Sequence, residues 1–259
     1  LFYVIIGAIK REDTMQTIIN SVADLNLQEK DIVAKGSCST IYRYNEDEYL
    51  KILNEEYYSL AARENQEVLK TLEALSEITD TPSIAIPRNI FKSENELYGY
   101  TSTIMPGVSL DEIPQDTRIE VLKNALNRIK KEVRTLSQHH IKTEDIGGDN
   151  ILFSDHIALI DLELSLVDEE TEEDILYRRT MRSILNSVLT NSFGTNVTGK
   201  IPSLAMRRLN EDLKAGVSDN YANYYALAIY EIEHMANTKI ATVEDSKKAY
   251  QKIKSKYKM

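Results

Sequence analysis

Between positions 119 and 136 the apolar residues Ile119, Leu122, Leu126, Ile129, Val133 and Leu136 recur at spacings of 3, 4, 3, 4 and 3. An α-helix, with 3.6 residues per turn, gathers that series onto one face. A helix with so continuous an apolar stripe must bury it against other elements, and the chain that follows supplies them. Helical patterning returns at 174–189, 201–215, 220–237 and 243–257. The front of the chain reads differently. Positions 31–36, 40–45 and 49–53 are β-prone runs divided by small-residue and polar turns, and further strands are expected at 85–91 and 97–105. One helix is expected between them, over 55–78, with Leu60, Glu64, Val68 and Leu72 near one face. Pro106 and Gly107 break the pattern. A strand-rich front and a helix-rich rear imply an α+β protein of two lobes, 25–105 and 106–259, after an N-terminal extension over 1–24.

Charge narrows the function classes. The 259 residues carry a net charge of −10, without the basic footprint of a nucleic-acid binder. The terminal "KKAYQKIKSKYKM" is the one basic stretch, and it reads as a solvated helix face. The single cysteine, Cys38, cannot close an internal disulfide, which suits a reducing cytoplasm. The opening "LFYVIIGAI" is apolar for nine residues, too few to span a bilayer, and it lacks the flanks of a signal peptide. No membrane partner is expected. Met15 offers an alternative translation start, so residues 1–14 are kept out of the site reading.

The stretch "TEDIGGDNILFSDHIALIDLE" (143–163) carries the candidate chemistry. The apolar runs "NILF" and "IALI" flank the turn "SDH", the pattern of an antiparallel hairpin with a three-residue loop. Asn150 opens the first strand and Asp161 closes the second, so pairing places both at the open end. Two oxygen ligands there suit Mg²⁺, which takes one or two protein oxygens and completes its shell with phosphate and water. Asp145, on the adjacent glycine-containing loop, could orient a hydroxyl nucleophile. The same residues can also be read as ordinary turn formers and a strand-end cap. A calcium loop fits poorly, because Asn150 and His156 stand where it needs Gly and an acid.

In order and spacing these features resemble the protein-kinase superfamily. There an Asp, an Asn five residues later and an Asp after a hairpin supply the catalytic base and two metal ligands. Asp145, Asn150 and Asp161 stand at those positions. Upstream, "AKGSCSTIY" resembles the glycine-rich loop, with Gly36 at the second glycine, Ala34 and Ser39 replacing the first and third, and Ile41 replacing the usual Val. Lys51, fifteen residues after Gly36 in an apolar strand, matches the lysine that pairs ATP phosphates. The resemblance implies a helical glutamate to hold it, Glu64 or, in reserve, Glu67. It also implies a hinge over 103–107 whose backbone, at Thr103 and Met105, meets adenine. Gly36, Ser37, Ser39 and Ile41 would cover the nucleotide.

The implied fold is two-lobed and kinase-like, with a small antiparallel-sheet N-lobe holding one helix and a mainly helical C-lobe. The implied activity is ATP- and Mg²⁺-dependent phosphoryl transfer to a hydroxyl, foremost of a protein Ser/Thr substrate.

Several positions depart from the family pattern. Thr143 replaces the His of the His-x-Asp, and Gly147 replaces the Lys two residues after the catalytic Asp. Asp-Phe-Gly reads Asp161-Leu162-Glu163, and only twelve residues separate Asp161 from Asp174, leaving no room for a usual activation segment. Asp174 matches the Asp that opens the family's central C-lobe helix, or else is a plain N-terminal helix acid. These departures keep two alternatives open: a pseudokinase binding module, and a small-molecule phosphotransferase of the aminoglycoside or choline kinase type.

Overall fold

The computed structural model describes residues 15–19, 21–36, 38–54, 62–93, 96–195, 204–216 and 220–257; for 15, 62–65, 204, 205 and 257 it describes the backbone alone. The chain is α+β, with a mixed sheet and several helices. It divides into two compact units. The first comprises residues 1–65 and 87–103, the second 66–86 and 104–259.

The first unit is built on a six-stranded sheet ordered β1-β5-β6-β4-β3-β2. Its strands are β1 (Met15–Ile18), β2 (Ile32–Lys35), β3 (Ser39–Arg43), β4 (Glu48–Leu53), β5 (Pro87–Lys92) and β6 (Leu97–Thr103). Five of the six form an antiparallel ladder. The sixth, β1, adds in parallel to β5 with Met15 opposite Asn89. The extension assigned above to 1–24 therefore contributes an edge strand, most of a 3₁₀ turn (Val22–Leu25) and core side chains such as Ile19. Alternation along the strands sorts the two faces. Tyr42, Leu50 and Ile52 join Ile19, Phe91 and Tyr98 in a small apolar core.

The second unit holds the larger core. Helices α2 (Ile119–Arg128) and α3 (Lys130–Gln138) carry the 3-4-3-4-3 series, and all six of its apolar residues are buried. The expected single helix is thus divided at Ile129. That residue keeps helical dihedrals (φ −64°, ψ −19°) and donates its N–H to Ala125, so the apolar stripe runs on across the junction. Burying one such Leu or Ile contributes about 1.5–3 kcal/mol. Around this pair pack α4 (Glu173–Phe193), α5 (Leu204–Ala215), α6 (Tyr221–Ala236) and α7 (Val243–Tyr257). The Tyr-rich run of α6 serves packing, since Tyr221 and Tyr225 are fully buried and Tyr225 shares a hydrogen bond with Ser192.

Helix α1 (Ala62–Ser76) realises the described part of the helix expected over 55–78. From Gln66 onward it belongs to the second unit rather than to the front lobe. Val68, Leu72 and Leu75 are buried, and the buried Thr71 donates to the carbonyl of Ser165 at 2.7 Å. No described helix is long and apolar enough to cross a membrane.

Candidate active site

The stretch 143–163 folds as the spacing predicts. Strands β9 (Ile151–Phe153) and β10 (Ile157–Leu159) pair antiparallel around Ser154-Asp155-His156, with Ile151 opposite Leu159. Ile160 donates its N–H to the carbonyl of Asn150, so Asn150 and Asp161 lie at the open end of the hairpin. A short strand unforeseen in the sequence, β7 (Val108–Ser109), extends this sheet through Val108–Phe153 and Ser109–Leu152 pairing. A two-stranded ladder of β8 (Ile141–Lys142) and β11 (Leu166–Val167) closes the base of the whole segment. At the turn the His156 ring, 2.7 Å away, is the main cause that holds the Asp155 carboxyl below its ordinary range.

Two hydrogen bonds tie the loop to the hairpin. Asn150 Nδ2 donates to the Asp145 carbonyl at 2.9 Å and to its Oδ2 at 3.3 Å. The amide nitrogen is thereby committed, and Oδ1 is the atom left for a cation. Asp145 is exposed and lies in the left-handed region (φ 52°), with Gly147 N–H closing back on its carbonyl. Asp161 is left-handed too (φ 55°, ψ 46°). It precedes the 3₁₀ turn Leu162–Leu164, and its side chain makes no capping hydrogen bond to that turn. L-residues avoid this region at a cost of about 1–2 kcal/mol, less for Asp. Two such residues in one short segment fit the concentration of backbone strain at functional sites.

The loop owes its position to α4. Thr180, buried, shares a 2.6 Å hydrogen bond with Thr143, and Ser187 donates to the Ile146 carbonyl at 3.2 Å. Thr143 is thus a tether to α4. Asp174 pairs with Arg134, whose guanidinium lies 3.7 Å from the Tyr177 ring centroid. It stands in the first turn of α4 with its side chain mostly exposed, as a helix-start acid does.

In the first unit, Gly36 donates to Ser39 at 2.8 Å and its carbonyl accepts from Asn54 Nδ2 at 3.2 Å, forming a tight turn between β2 and β3. Ser37 lies outside the described residues. Ile41 stands directly opposite Lys51, and Ser39 opposite Leu53. All four therefore share the sheet face opposite the small apolar core. Lys51 is 8% exposed in the middle of β4, a strand flanked by β6 and β3, so it does not stand on an exposed sheet edge. Glu64 is on α1, with its side chain outside the described residues, and Glu67 is exposed on the same helix. Thr103 ends β6 and accepts from Arg88 Nε, while Met105 is buried.

The sequence reading missed the α4 residues. Their signal was a polar series at 180, 183, 187, 190 and 191 in the same helix. Compared with protein-family models and with curated protein sequences, the chain matches none.

Proposed function

We propose that the chain is an ATP- and Mg²⁺-dependent phosphotransferase with a two-lobed, kinase-like arrangement, working in the cytoplasm on a hydroxyl acceptor. The single observation that carries this reading is the Asn150 amide. It binds the Asp145 carbonyl and carboxylate from the hairpin end that also leads into Asp161. The donor set suits the cation: hard oxygens from one carboxylate and one amide, with phosphate oxygens and water to complete the shell.

Asn150 Oδ1 and Asp161 would hold Mg²⁺, which when bound neutralises charge on the phosphates. Lys51 would neutralise phosphate oxygens from a buried strand position, with Glu64 or Glu67 to position it. Gly36, Ser37, Ser39 and Ile41 cover the nucleotide, and the backbone of Thr103 and Met105 receives adenine. The acceptor oxygen attacks the γ-phosphorus while its proton passes to the Asp145 carboxylate. The bond from the γ-phosphorus to the bridging oxygen breaks, and ADP leaves. Positioning and charge stabilisation supply most of the acceleration in such chemistry.

The test is a melting curve with and without ATP and Mg²⁺, followed by a labelled-ATP transfer assay against generic protein and small-molecule acceptors. At 100 times its dissociation constant ATP should stabilise the chain by about 2.7 kcal/mol. Asp145→Asn should abolish transfer and keep the stabilisation, and Asp161→Asn or Lys51→Met should lose both. Binding without turnover would assign the chain to the regulatory, pseudokinase reading. Absence of any ATP effect sinks the site assignment.

A further inference from the structure

Thr71 stands in α1 without exposed surface, and its Oγ1 donates to the carbonyl of Ser165 at 2.7 Å, across 94 positions of chain. A helical Thr hydroxyl ordinarily turns back to a carbonyl one turn earlier in its own helix. A hydroxyl has one proton to give, and here that proton leaves the helix for a loop.

Ser165 ends the turn that Asp161 begins. Asp161 precedes the 3₁₀ turn Leu162–Leu164, and Ser165 follows it, its N–H donating to the Leu162 carbonyl. Leu162, Glu163 and Ser165 are all buried. The Ser165 hydroxyl has no hydrogen-bond partner among the described residues, so α1 holds this residue by its backbone. On the other flank, Ile160 is clamped through its N–H to the Asn150 carbonyl. Asp161, with its left-handed backbone, thus lies between two fixed points, Ile160 and Ser165. Such a conformation persists where its neighbours over-determine it. Without the Thr71 hydrogen bond the second clamp is lost, and Asp161 gains freedom to leave the left-handed region.

We propose that Thr71 is a positioning residue for the cation: through the Ser165 carbonyl and the 3₁₀ turn it holds the Asp161 carboxylate in register with Asn150 Oδ1. The inference rests on the phosphotransferase reading, in which those two residues bind Mg²⁺. It adds to that reading, since the kinase resemblance asks of this helix only a glutamate for Lys51. Groups that stand behind a metal ligand set how firmly it is aimed, and losing one costs about 10–100-fold in metal affinity.

The test measures Mn²⁺ binding to the full chain with a non-hydrolysable ATP analogue; Mn²⁺ takes the same oxygen ligands as Mg²⁺ and is read directly by electron paramagnetic resonance. Thr71→Val keeps the branched shape and removes the donor, and it should weaken Mn²⁺ about tenfold or more. Thr71→Ser, which keeps the donor, should retain the parent affinity. Ser165→Ala removes only an unpaired hydroxyl and leaves the carbonyl in place, so its cation binding should be unchanged. Asp245→Asn alters a helix cap at the start of α7; it controls for lost stability and should bind Mn²⁺ as the parent does. Should Thr71→Val not fold, Thr71→Cys, with its weak S–H donor, must show the same loss.

Parent-like Mn²⁺ affinity in Thr71→Val overturns the positioning role. So does a Thr71→Ser protein as weak as Thr71→Val, which traces the loss to packing rather than to the hydroxyl. An equal loss in Ser165→Ala or Asp245→Asn overturns it too. A parent chain that binds no Mn²⁺ with the analogue removes the phosphotransferase reading, and the role of Thr71 falls with it. That failure is read on the parent, the others only on the variants.

Discussion

Gly107 is the position where a single methyl group should do most damage to the hairpin carrying Asn150 and Asp161. Its φ of +132° is a conformation that L side chains rarely adopt, and a Cβ there would stand 2.7 Å from the Phe153 carbonyl oxygen and 2.9 Å from its carbonyl carbon. Those atoms are backbone of β9 and cannot swing aside. Gly107→Ala therefore combines about 1–3 kcal/mol of dihedral strain with about 1–3 kcal/mol of overpacking. At about 2 °C per kcal/mol for a chain of this size, the melting temperature should fall by roughly 4–12 °C. The strand that gives way is β7, whose Val108–Phe153 and Ser109–Leu152 pairs brace the hairpin. Gly36→Ala is the control. The nearest atom to its Cβ is Ser39 O at 3.5 Å, an ordinary contact, and its φ is not positive. That change should be neutral or stabilising by up to about 1 kcal/mol. Circular-dichroism melts of both variants decide the matter. A Gly107→Ala protein melting within about 1 °C of the parent would refute the reasoning.

Thr180→Val removes the hydroxyl that tethers Thr143 and should cost about 0.5–1.5 kcal/mol. Because the two hydroxyls share one bond, the double change with Thr143→Val should cost less than the sum of the singles, and additive melts would contradict the tether. At the start of α7, Asp245 accepts from the N–H groups of Ala241 and Thr242, and its own N–H donates to Thr242 Oγ1, a reciprocal cap. The Ala241 hydrogen bond first, and then the Thr242 side chain, hold its carboxyl below the ordinary value. A lowered folded-state pKa gives stability that is complete above the unfolded value and lost as pH falls through the folded one. Asp245→Asn should therefore destabilise the chain at neutral pH, on the order of 1 kcal/mol. The gap should close below about pH 4; denaturant melts at pH 7 and pH 3 showing a constant gap would exclude this.

What the sequence made legible were the features written in local pattern. The run from Asn150 to Ile160 announces its hairpin because apolar triplets flank turn formers, and pairing alone then puts Asn150 and Asp161 together. The stripe from Ile119 to Leu136 announces its helix and its burial. Strand β1 was not legible: its partner is 74 residues away, Met15 against Asn89, and nothing local marks a parallel edge strand. Nor was the left-handed backbone of Asp145 and Asp161, since Asp is at home in turns of many kinds. The α4 polar series was passed over for a different reason. Amphipathic reasoning assigns polar residues to the solvent face, whereas Thr180 is 3% exposed and spends its hydroxyl on a loop.

That last error bears on how the site is held. The segment 143–150 has little regular structure of its own, so its geometry is borrowed: from Asn150 within the hairpin, from Ser109, whose hydroxyl donates to the Gly148 carbonyl at 3.1 Å, and from α4. α4 is the best-buried of these lenders, with Met181, Ile184, Leu185, Val188 and Leu189 all within 1% of full burial. Rotating or sliding that helix would break many close-packed contacts at once, so Thr180 and Ser187 are fixed points. A loop pinned at Thr143 and Ile146 has little freedom left at Asp145 between them. The left-handed backbone at Asp145 can then persist because its neighbours over-determine it. The hydroxyl pair between Thr143 and Thr180 is therefore sufficient to anchor the start of the loop to α4.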